Sequence, residues 1–150
     1  MEYDETNLVK DFFRRTKENL DLYMKNKAKS PDVYTQEVTM TINSLLGMLV
    51  FVQQDTEGNN LMQHVEISKI INKAVYGNAN NDKTVKDFFR HMRNSIAHGH
   101  CIKDFKVDEQ HQITSLIFRD FHKKDKTFEV ELELSDITYL INAISAVFCR

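Results

Sequence analysis

The spacing of apolar residues changes period about two thirds of the way along the chain, and this limits the fold more than any other feature. Up to Ile96, apolar residues recur three and four positions apart, as on amphipathic helices. In FEVELEL they alternate instead: Phe128, Val130, Leu132 and Leu134 fall on one side, Glu129, Glu131 and Glu133 on the other, as in a half-buried strand. Such a chain has to set a helical body beside a piece of sheet.

Leu8, Val9, Phe12, Phe13, Leu20, Tyr23 and Met24 predict a first helix from Glu5 to about Lys27. Ser30 and Pro31 read as the N-cap and first residue of a second helix, ending near Gln54, with Val38, Ile42, Leu45, Leu49 and Val52 as its stripe. A third is expected from Leu61 to Tyr76, closed by Gly77 as its C′ residue, and GNANND then reads as a loop. A fourth, Lys83 to Ala97, buries Val85, Phe88, Phe89, Met92 and Ile96 and ends at Gly99. ITSLIFRDF and FEVELEL form a hairpin through HKKDK, and Ser135 caps a last helix with the stripe Ile137, Leu140, Ile141, Ile144, Val147 and Phe148. The expected fold is a mainly all-α single domain over residues 1–150, a bundle of about five helices with a small antiparallel β-hairpin before the last.

At 150 residues one domain with a real core is expected. The longest apolar run, LLGMLVFV, is far short of the ~20 residues that cross a bilayer, so no membrane association is expected. The acidic start MEYDETNL does not look like an export signal, which predicts a cytoplasmic protein with Cys101 and Cys149 reduced. The net charge of −2 argues against coating nucleic acid with the whole surface. Lys83 to Lys103 departs from this, with Lys83, Lys86, Arg90, Arg93 and Lys103 against Asp87, about +4 in an otherwise acidic chain.

That basic segment holds RNSIAHGH, Arg93 to His100. On a helical wheel Lys86, Arg90, His91, Arg93, Asn94 and His98 fall in the arc expected to face water, with Arg93 and His98 on two sides of one groove. Arginine offers a planar fork of donors that fits phosphate oxygens, and histidine exchanges a proton near neutral pH. Together they suit cleavage of RNA by its own 2′-hydroxyl: a base removes that proton, the arginine neutralises the phosphorane, and an acid protonates the leaving 5′-oxygen. Base and acid must be different groups, and a two-fold dimer would bring two copies of the motif together. No cofactor is called for. HGHC, with His98, His100 and Cys101, lacks a second ligand pair for zinc, and no nucleophile signature or phosphate-cradling glycine loop occurs. His64, His111 and His122 read as surface residues, and the strand glutamates are expected to point away from RNA.

FFRHMRNSIAHGH resembles the signature of HEPN domains, an arginine commonly followed by asparagine and then, after about four to six residues, a histidine. INSLLGMLVF, Ile42 to Phe51, resembles the matching segment of short plasmid- and phage-associated HEPN proteins, with Asn43 at the polar position that faces the groove. The resemblance implies a HEPN-like helical bundle, a homodimer with a composite active site, and a metal-independent endoribonuclease used in toxin or antiphage defence. Arg93, His98 and Asn94 would be catalytic, with Arg90, Lys86, Asn43 and His100 contacting RNA. His98 and His100 both satisfy the spacing from Arg93, and His98 is favoured because it precedes Gly99. Two other functions stand beside this one. The chain would be a catalytically silent module binding RNA or a partner, or a subunit paired with a nucleotidyltransferase antitoxin that modifies a tyrosine such as Tyr34 or Tyr76.

Overall fold

The computed structural model describes residues 8–33, 35–54, 56–77, 83–101 and 104–149. Its elements are α1 (Leu8–Lys29), α2 (Glu37–Gln54), α3 (Thr56–Met62), α4 (Ser68–Ile71), β1 (Val75–Tyr76), α5 (Val85–Ala97), β2 (Phe105–Val107), β3 (Ile113–His122), β4 (Asp125–Glu133) and α6 (Leu134–Phe148). The strands form one antiparallel sheet in the order β1-β4-β3-β2. The expected all-α bundle with a small hairpin is therefore corrected to a mixed α/β fold with a four-stranded sheet. The central hairpin lies where the alternation put it, with Lys123 at its turn in the left-handed region at φ 56°. The flanking strands β1 and β2 are two and three residues long, too short to show a period.

The helix boundaries also move. Pro31 lies in a turn, with Val33 N–H donating to the Ser30 carbonyl, and α2 begins at Glu37. The turn leaves Val33 74% exposed, so nothing apolar would have held a helix there. Asp55 and residues 78–82, including most of the GNANND loop, lie outside the described residues. The expected third helix from Leu61 to Tyr76 is three pieces instead. The Glu66 carboxylate accepts the Ser68 backbone N–H at 3.0 Å and starts α4 anew, and pairing with Phe128 and Glu129 draws Val75 and Tyr76 into the sheet. Gly77 is no helix C′ residue: a Cβ there would lie 2.3 Å from the Lys126 carbonyl oxygen, so only glycine permits this approach to β4. At α6 the N-cap is Glu133, not Ser135, and a capping box ties Glu133 to Asp136.

The core joins both kinds of structure. β3 turns Leu116 and Phe118 inward, β4 turns Phe128, Val130 and Leu132 inward, and both strands cover α5 and α6. Behind these, α1 and α2 complete the helical layer, where Phe13 stacks on Phe148 at 4.4 Å. Glu129 and Glu131 lie on the other face of the sheet: Glu129 pairs with Arg119 and Lys126, and Glu131 with Lys106 and Ser115. No helix among the described residues is long and apolar enough to cross a membrane.

Phe128 is fully buried against Phe88 and Tyr76, and Phe128→Ala is expected to cost about 3–5 kcal/mol in urea unfolding. The Arg119 guanidinium holds the Glu129 carboxyl below the usual carboxylate range, with Lys126 adding to the effect. This contribution is present above the ordinary glutamate pKa and is lost as pH falls through the lower folded value. The unfolding midpoint is expected to drop on acidification, less steeply in Glu129→Gln.

Candidate functional site

The site is organised by α5, whose two ends are set by local sequence. Thr84 caps its start, its hydroxyl accepting the Asp87 N–H at 3.1 Å. At the other end Gly99 takes φ 70°, its N–H donates to Ile96, and the His100 N–H reaches back to Ser95 at 2.8 Å. This is a Schellman motif. It fixes His98 as the C-cap residue and sets His100 two positions on, beyond the reversal. His98 is exposed, its ring 6.1 Å from that of His100, which packs 5.0 Å from Phe121.

Arg93 and Asn94 are half-buried and bonded to each other. The Arg93 Nε and Nη2 donate to Asn94 Oδ1 at 3.1 and 2.5 Å. The Asn94 Nδ2 donates to Asp120 Oδ2 at 3.0 Å. The same carboxylate oxygen lies 2.8 Å from His91 Nδ1, and Asp120 Oδ1 accepts the Phe121 N–H at 2.9 Å. Beyond His91, Arg90 Nη2 comes within 3.5 Å of Nε2 and also bonds Asp87 at 3.0 Å. A carboxylate only accepts, so His91 carries a proton on Nδ1 and gives it to Asp120.

His91 corrects the expectation that it faces water: it is 3% exposed, stacked on Phe128 at 4.8 Å and 7° with Tyr76 against its edge. The sheet covers this flank of α5, which widens the buried arc beyond the apolar stripe. Asp120 is the residue that motif reasoning missed. Its signal was strand parity, since alternation from Leu116 and Phe118 carries Asp120 to the inward face. The register shifts between Asp120 and Phe121, and there the Asp120 carboxylate accepts the Phe121 N–H.

Arg90, His91, Asn94 and Asp120 line a cleft of about 670 Å³ between α5 and the hairpin, with Phe121, Lys124 and Lys126 among others, while Arg93, His98 and His100 lie outside its lining. The other expected contacts lie elsewhere. Lys86 borders a separate depression with Gln63 and Thr84, and Asn43 borders an apolar pocket of about 240 Å³ with Cys101, Phe105 and Leu116. His122 lines the cleft, while His64 and His111 are exposed away from it. The Tyr76 hydroxyl is buried without a hydrogen-bond partner among the described residues, and burial pushes its pKa up to about 12. It is closed to modification in this conformation, and Tyr34 lies outside the described residues. Among the described residues no three His, Cys, Asp or Glu side chains gather where they would hold a metal ion.

Chemically, α5 presents two arginines one turn apart, Arg90 on the polar cleft and Arg93 beyond its lining, with two histidines at the helix end. Removal of the Asp120 carboxylate would leave three donors without an acceptor, so Asp120→Ala is expected to destabilise the protein by about 1–3 kcal/mol in urea unfolding.

No curated protein and no solved structure matches the chain. The family model described as HEPN pEK499 p136 matches residues 1–150. The match takes in α5 and its motif together with the hairpin that covers them, and the chain belongs to the HEPN pEK499 p136 family.

Proposed function

We propose that this protein is a metal-independent endoribonuclease that cleaves RNA by attack of the 2′-hydroxyl, leaving a 2′,3′-cyclic phosphate, in a toxin or antiphage role. HEPN domains are generally ribonucleases that bind RNA and often dimerise. The observation that carries the reading is the end of α5, where Arg93 is held by Asn94 and His98 stands exposed on the helix cap. Arg93 neutralises charge on the phosphorane, and His98 transfers a proton to or from a reacting oxygen. The partner acid or base comes from a second copy in a homodimer, whose two-fold axis makes the groove composite. Arg90 and His100 flank the scissile phosphate, while Lys86 and Asn43 meet more distant parts of the strand.

One observation favours a second reading, a silent module that binds RNA or a partner such as a nucleotidyltransferase antitoxin. The Arg93 guanidinium is turned onto Asn94 of its own helix. Digestion of total RNA and tRNA in excess EDTA separates the two. The endoribonuclease leaves cyclic phosphate ends, loses at least about 100-fold of its rate in His98→Ala, and loses much less in His100→Ala. A binding module cuts nothing, keeps RNA affinity in His98→Ala and loses it in Arg93→Ala, with affinity falling as salt rises.

A further inference from the structure

We propose that Asp120, on the strand opposite the motif, is the positioning residue for two arginines of α5, acting on Arg93 through Asn94 and on Arg90 through His91. The role assigned to it rests on the reading of Arg93 as a phosphate-binding group. A carboxylate 6% exposed on the face that carries Leu116 and Phe118 is costly to bury, and an apolar side chain would pack there without that cost. Here it is fully bonded, by the His91 ring, the Asn94 amide and the Phe121 N–H.

Each bond decides what an arginine meets. Because Asn94 gives its NH₂ to Asp120, its oxygen must face the other way, onto the Arg93 guanidinium. A flipped amide would set N–H against N–H. Because His91 gives its Nδ1 proton to Asp120, its Nε2 edge faces Arg90. The ring cannot turn away, since Phe128 stacks on it and Tyr76 meets its edge. One buried anion therefore fixes an amide orientation and a ring orientation, and through them the edges that Arg93 and Arg90 meet, Arg90 being held as well by Asp87 at 3.0 Å. Arg90 and Arg93, three residues apart on one helix, are neighbours. With their inner edges held, their outer donors are set to take the oxygens of an RNA phosphodiester lying along this face of α5.

The test compares wild type, Asp120→Asn, Asn94→Ala, Arg93→Ala and Arg93→Ala/Asp120→Asn as full chains. It measures single-turnover cleavage at saturating RNA, affinity for the same RNA 2′-O-methylated, and the ¹⁵N heteronuclear NOE of the arginine Nε–H groups. Asp120→Asn is expected to slow cleavage about 10- to 100-fold, because misplacement of a charge-stabilising group acts on the rate. Affinity should change less than about threefold. The double variant should be slowed by less than the product of the two single effects, since part of what Asp120 does passes through that arginine. Folded Asp120→Asn that cuts like wild type, or a double variant slowed by the product of both effects, overturns the proposal. Should Asp120→Asn not fold, Asn94→Ala, which breaks one arm at a half-buried position, is expected to lower the rate and the Arg93 NOE, and unchanged values overturn the positioning. If wild type cuts nothing, the catalytic reading fails by itself. A fall of the Arg93 and Arg90 NOEs in Asp120→Asn then still supports the positioning, and unchanged NOEs overturn it.

Discussion

Every part of this molecule that bears on function depends on α5 being buried from two sides. Its apolar stripe, with Phe88, Phe89, Met92 and Ile96, packs into the core, and a second flank is covered by the hairpin through Phe128. A helix covered on one side only would leave His91 and Asn94 in water, where hydrogen bonds among them would compete with solvent and contribute little. Covered twice, the same side chains must find partners inside the protein, and they find them on β3. The Ser95 hydroxyl, which accepts the Arg119 backbone N–H at 2.9 Å, fixes the height of that strand on the helix.

The legible parts of the fold were those with enough residues to repeat. The stripes of α1, α5 and α6 and the alternation of FEVELEL each extend over several turns or pleats, so apolar spacing alone identifies them. The region from Leu61 to Tyr76 also carries apolar residues at helical intervals, yet Val65, Ile67, Ile70, Ile71 and Ala74 are buried along an irregular path. There a local acceptor, Glu66, and a long-range partner, β4, outweigh the period, and neither is visible in a short window of sequence. β2, whose three residues are all exposed, is held by its pairing with β3 and left no pattern to read.

At the site the division is similar. The motif on α5 was legible because it is contiguous and ends on a glycine, and the cap at Gly99 stands where it put it. The groups that tie it together come from 26 and 29 residues away, the separations that link Asp120 to Asn94 and to His91. Charge counting pointed the same way only in part. The basic segment was identified, but Arg90 is paired with Asp87 and Lys126 with Glu129, so the cleft is a network of matched charges more than a positive patch.

Gly77 gives the cleft a dimension that no motif describes. Its backbone lies so near the Lys126 carbonyl that a single methyl group would collide with the hairpin, and its own N–H bonds the Thr127 carbonyl at 2.9 Å. The hairpin wall can come this close to β1 only because a hydrogen atom stands where any other residue carries carbon. The gauge of the opening is thus set by a missing side chain, just past β1 and away from the helix that brings Arg90 to the same cleft.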